Sequence, residues 1–92
     1  MESESSTVVG PVTELETARL LATVAETLDV DVSDIDLDTE LLKTGRLDSL
    51  AMVALVAFLE DDLGVKLGID QIVPENFASV RQMTRLIGQG RR

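Results

Sequence analysis

The chain has 92 residues, 45% of them apolar and 2% aromatic, a net charge of -9 at pH 7, and neither His nor Cys. This length allows one domain with one aliphatic core, and the apolar share sets the chain apart from a disordered acidic tail. The charge and the shortage of aromatic side chains exclude nucleic acid and anionic membrane surfaces as partners, and the missing Cys and His exclude disulfides and the usual zinc sites.

Residues 1–12, Ser/Glu-rich with Gly10-Pro11 near their end, are expected to be a disordered tail. Met1-Glu2-Ser3-Glu4 lacks the basic-then-apolar order of a signal peptide. The longest strongly apolar stretch, 50–59, is too short to span a bilayer. A cytoplasmic location is therefore expected, with the folded domain over 13–88 and a frayed tail over 89–92.

Thr13-Glu14-Leu15-Glu16 reads as a capping box, in which the threonine hydroxyl and the Glu16 carboxylate satisfy amides at a helix start. The helix that follows carries Leu15, Ala18, Leu21, Ala22, Ala25 and Leu28 at helical spacing. Over 29–48, acids alternate with Val30, Val32, Ile35 and Leu37. Alternation is a strand pattern, but nothing else in the chain offers a strand to pair with. The segment is predicted to be a loop pinned to the helices by its aliphatic residues, with a helical turn at Leu41-Leu42 broken by Gly45. Asp29-x-Asp31-x-Ser33, with Glu40 at the twelfth place, fits four positions of a calcium-binding EF-hand loop, but Asp34 replaces the turn glycine and Asp36 the aliphatic residue. A solvated acidic loop is the reading, and no metal site is expected.

A second helix is predicted over 49–63, with Asp48 as N-cap and Gly64 closing its C-terminus. A short third helical segment lies within 69–77, interrupted or restarted at Pro74. The last helix opens with a second capping box, Ser79-Val80-Arg81-Gln82, and places Val80, Met83, Leu86 and Ile87 on one face. Three longer helices, one short helix and a long first loop make an all-α fold, a small antiparallel four-helix bundle.

The run Gly45-Arg46-Leu47-Asp48-Ser49-Leu50 carries the candidate site. Ser49 is the first helical residue, at the positive end of the helix macrodipole and beside unpaired amides, where an attached phosphate ester is favoured. Serine needs an adjacent base to react at neutral pH, and a chain without His or Cys does not readily provide one. Another protein must act on it. The helix after Ser49 is apolar almost all round. With Leu55, Val56, Leu59 and Leu63 as its buried stripe, Leu50, Val53, Ala54 and Ala57 fall on an outward stripe, the pattern of a partner surface.

From Thr13 to Ile87 these features together resemble the acyl carrier and peptidyl carrier protein family. The resemblance implies a non-catalytic carrier domain over 13–88. Its cofactor would be 4′-phosphopantetheine, attached covalently to Ser49 within the motif Asp48-Ser49-Leu50 by a phosphopantetheinyl transferase that uses coenzyme A and magnesium. The arm's thiol would carry acyl or aminoacyl groups as thioesters. Implied partners are that transferase, a loading ligase or acyltransferase, and downstream biosynthetic enzymes. They would meet a monomer through Arg46, Leu47, Leu50, Val53, Ala54, Ala57 and Ile72.

Two departures separate the chain from fatty-acid carriers. Gly45 stands four residues before the serine and not three, and Ala51 and Ala54 occupy positions where acids often line the outer face of the second helix. Both features, and more weakly Pro74-Glu75-Asn76-Phe77, are similar to discrete aminoacyl, D-alanyl and specialised-metabolism carriers. A primary fatty-acid carrier is the alternative within the family. An unmodified acidic interaction module using the Leu50/Val53/Ala57 stripe is the alternative outside it. An enzyme is not expected, because carboxylates in polar surroundings have pKa values ill-matched to acid/base work at neutral pH.

Overall fold

The computed structural model describes residues 12–90, so the expectations for residues 1–11, 91 and 92 lie outside the described residues. Helix α1 (Glu14–Leu28) starts where the capping box placed it: Thr13 Oγ1 accepts from Glu16 N at 3.1 Å, and Glu16 Oε1 accepts from Thr13 N at 3.1 Å. Asp29, in the left-handed region at φ 58, ends the helix. Helices α2 (Ser49–Asp61) and α3 (Val80–Gly90) complete the longer elements. The short third segment consists of two 3-10 turns, Ile69–Gln71 and Pro74–Phe77. No strand occurs among the described residues, and the fold is an all-α bundle in which α1 packs against both α2 and α3.

The core is aliphatic apart from Phe77. Leu20, Val24 and Leu28 of α1 meet Ala51, Leu55 and Leu59 of α2, with Leu63, Val65 and Phe77 from the following segment and Val80, Met83, Leu86 and Ile87 of α3. The α3 face is the one its periodicity predicted. The α1 face is so only in part: Ala25 and Leu28 are buried as expected, but Leu15 is 71% exposed, Ala18 and Ala22 are exposed, and Leu21 is half-buried. Rotating the stripe so that Leu20 and Val24 join Leu28 puts two large side chains inside where the expected stripe would have buried Ala18 and Ala22, which removes more apolar area from water. On α2 the buried stripe is Ala51, Leu55, Leu59 and, just past the helix, Leu63, while Val56 is half-buried. Ala51, only 6% exposed, is therefore a core residue and not part of an outer face. Arg19 ties α1 to α2 at the surface: its guanidinium lies 5.7 Å from the Phe58 ring centroid and 3.6 Å from Asp62 Oδ2.

The long connection between α1 and α2 is held by its aliphatic residues, as predicted for a loop. Leu41 is fully buried at the start of the 3-10 turn Leu41–Thr44, and Val30, Ile35 and Leu37 pack against the core. Val32 is the exception, half exposed within a further 3-10 turn, Val32–Asp34, that periodicity did not reveal. Two backbone bonds stitch the loop to the start of α3: Leu41 N donates to Ala78 O at 2.8 Å and Arg81 N to Leu37 O at 2.9 Å. At the C-terminus, α3 continues through Gln89 and Gly90, residues expected in a frayed tail. Packing holds that turn in place. Lys66 N donates to Gly90 O at 3.5 Å, and a Cβ on Gly90 would collide with Val65 Cγ1 and stand 3.0 Å from Lys66 O.

Arg81 also grips Asp38 with both arms, Nε to Oδ1 at 2.6 Å and Nη2 to Oδ2 at 3.0 Å. That charge-assisted pair holds the Asp38 carboxyl below the ordinary aspartate range. A carboxyl with a depressed folded-state pKa contributes stability above its unfolded value, near 3.9, and loses it as pH falls through the folded value. Melting temperatures of wild type and Asp38→Asn should therefore differ at pH 7, with the variant lower, and converge as pH drops well below 4. A gap that stays constant across that range would reject the pair as its source.

Candidate functional site

The start of α2 is built by local chemistry. Gly45 turns the chain at φ 72 after the 3-10 turn, and Thr44 Oγ1 accepts from Arg46 N at 3.1 Å. Asp48 N donates to Arg46 O at 3.1 Å, and Asp48 Oδ1 then caps the helix by accepting from Ala51 N at 2.9 Å. Met52 N reaches Asp48 O at 2.9 Å, which leaves the Ser49 and Leu50 amides among the orphan donors of the first turn. Ser49 itself is exposed, and its hydroxyl makes no hydrogen bond among the described residues. The hydroxyl at this position is accessible, and among the described residues no side chain accepts from it; the neighbouring Asp48 carboxylate is engaged in capping Ala51 N.

Ser49 opens onto a surface groove of about 470 Å³, lined by Met52, Val53 and Val56 from α2 and by Ile72 and Pro74 from the segment ahead of α3. Of these, Ser49, Val53 and Ile72 were expected site residues. Met52 and Val56 were missed, although their spacing of three and seven from Ser49 places them on its helical face. Pro74 could be placed only by the folding of the 69–77 segment over α2.

The expected partner residues separate into two groups. Leu50 (81% exposed), Val53 (66%), Ala54 and Ala57 form an outward apolar stripe on α2, continuous with Ser49. Leu47 and Arg46 are engaged within the fold instead, although the Arg46 side chain stays 52% exposed. Leu47 is half-buried against the core, and Arg46 Nη1 donates to Leu28 O at 3.3 Å and Asp29 O at 3.2 Å.

The acidic loop does not assemble as a metal cage. Among the described residues no group of three or more His, Cys, Asp or Glu is gathered for a cation. Its acids serve turns instead. Asp31 Oδ1 accepts from Ser33 N and Oγ, which lowers its pKa, and Asp36 Oδ1 accepts from Asp38 N at 2.8 Å. No helix among the described residues is long and apolar enough to cross a membrane.

These residues fit a phosphodiester-linked arm. The hydroxyl is free for substitution, the neighbouring amides and helix dipole favour an anion, and an apolar groove begins at Ser49. The comparisons agree with this. A sequence model described as "Phosphopantetheine attachment site" matches residues 18–87. The probable acyl carrier protein PigG of Serratia sp. is 37% identical over 60 residues, covering 65% of this chain and 69% of that protein. No solved structure matches the chain.

Proposed function

The chain belongs to the phosphopantetheine attachment family, whose covalent prosthetic group is 4′-phosphopantetheine, and from that premise we propose that it is a discrete, non-catalytic carrier armed at Ser49. It would deliver acyl or aminoacyl thioesters in trans to biosynthetic enzymes in the cytoplasm. The observation that carries the reading is Ser49 itself: exposed, at the first position of a capped helix, inside the matched span, and with no hydrogen-bond partner for its hydroxyl among the described residues. In loading, Ser49 Oγ would form a new bond to the pantetheine-side phosphorus of coenzyme A's pyrophosphate. The bond from that phosphorus to the bridging oxygen would break, adenosine 3′,5′-bisphosphate would leave, and the hydroxyl proton would pass to a base on the transferase. When attached, the arm supplies the thiol that forms thioesters; this chain supplies the hydroxyl, the anion-tolerant helix start and the docking stripe Leu50/Val53/Ala54/Ala57.

For cargo, we favour a small or polar acyl or aminoacyl load over a growing fatty chain. Leu55, Leu59, Phe77 and Met83 are all fully buried, while the space beside Ser49 is a surface groove. The Gly45-to-Ser49 spacing and the uncharged, exposed Ala54 support the same reading; Ala51, being core, no longer does. The test is intact mass after co-expression with a broad-specificity phosphopantetheinyl transferase, followed by peptide mapping. An adduct of one phosphopantetheine on the Ser49 peptide is expected, and an unmodified chain would leave the interaction-module reading in its place.

A further inference from the structure

We propose that Arg46 is a positioning residue for the loading of Ser49, acting by tying the chain ahead of α2 to the C-terminal end of α1. The inference rests on Ser49 being the attachment residue. Helix α1 ends without a basic residue in its last turn; the Asp29 and Val30 amides meet Ala25 O and Glu26 O, which leaves Leu28 O, at the negative end of the helix dipole, without a backbone donor or a local cation among the described residues. Arg46 fills that need from across the fold, with Nη1 at 3.3 Å from Leu28 O and 3.2 Å from Asp29 O. Its ion pair with Asp29 Oδ2, at 3.7 Å, is the weaker part of the tie, because that carboxylate is 97% exposed and screened by solvent.

Between Arg46 and Ser49 little slack remains. The Arg46 amide is held by Thr44 Oγ1, its carbonyl by Asp48 N, Leu47 packs against the core, and Asp48 caps α2. Of the polar links in this stretch, the guanidinium is the one that reaches another helix. The position of the Ser49 hydroxyl relative to the bundle is thus set partly through Arg46. A transferase that must align this hydroxyl with a bound phosphate is sensitive to small errors in that position.

The test measures loading by a phosphopantetheinyl transferase with coenzyme A and magnesium, for wild type, Arg46→Ala, Arg46→Lys, Asp29→Asn and Arg81→Ala. Arg46→Ala should lower kcat at saturating carrier by about tenfold. In the free, unmodified variant, amide hydrogen exchange over 49–52 should accelerate, and amide shifts should move at Leu28, Asp29 and Val30 with no transferase present. Arg46→Lys, which keeps a cationic donor, should recover part of the rate. Asp29→Asn should load like wild type, because both carbonyl contacts remain. Arg81→Ala, which loosens the loop away from Ser49, should lower the melting temperature without lowering kcat. A raised KM with unchanged kcat, and undisturbed amides at Leu28 and Ser49, would make Arg46 a contact for the transferase and overturn the positioning role. A wild type that gains the adduct while Arg46→Ala loads equally well removes this inference alone; a wild type that gains none removes the proposed function and this inference with it.

Discussion

Ser49→Ala should abolish phosphopantetheine loading completely while leaving the domain folded. The substitution removes the hydroxyl to which the arm is proposed to be joined, so the loss is expected to be all-or-none, with no residual rate. Stability should hardly change. Ser49 is exposed, its hydroxyl holds no hydrogen bond among the described residues, and the helix is capped by Asp48, which the substitution leaves in place. Alanine is also the better helix former, and surface substitutions of this kind stay within about 0.5 kcal/mol. Circular dichroism and melting temperature should match wild type, and intact mass after co-expression with a transferase should show the bare chain. An adduct persisting on the alanine variant would place the attachment elsewhere and sink the assignment to Ser49.

What sequence reasoning could reach, and what it could not, divides along the range of the interactions. Thr13, Asp48 and Gly45 were legible because a cap or a left-handed turn is settled by residues within about four positions. The α3 face was legible because Val80, Met83, Leu86 and Ile87 stand against polar neighbours, so only one apolar stripe exists. Helix α1 carries alanine and leucine on more than one face, and its period alone permits two stripes. The choice of Leu20 and Val24 over Leu15, Ala18 and Ala22 is made by the side chains of α2 and α3 that they meet. Ala51 failed for the same reason: a small residue on an apolar helix carries no sign of its own facing. Arg46 and Arg81 act on partners 18 and 43 positions away, beyond any local pattern. At the site, Ser49 and the outward stripe were readable from one helix, whereas the groove needed Ile72 and Pro74 from the segment before α3.

Val53→Asp probes the proposed docking stripe and should separate partner recognition from folding. Val53 is 66% exposed on the outward face of α2, so a carboxylate there remains hydrated in the free protein and should cost little stability. At an interface the same carboxylate would have to give up its water among apolar groups with no counter-charge from this chain's stripe, where Leu50, Ala54 and Ala57 surround it. Hot-spot changes of this kind cost about 2 kcal/mol or more, which corresponds to a loss of about thirtyfold or more in kcat/KM for the transferase or a downstream enzyme. The loss should lie mainly in KM, since the serine and its cap are untouched. Leu55→Asp supplies the contrast two residues along. Leu55 is fully buried, and an unpaired carboxylate there should unfold the domain or lower its stability by about 4 kcal/mol. If Val53→Asp unfolds the chain as Leu55→Asp does, the outward facing of α2 is wrong. If it stays folded and is loaded and unloaded at wild-type rates, the stripe is not where partners dock. Folded with impaired loading, it identifies the apolar face next to Ser49 as the surface by which enzymes find the arm.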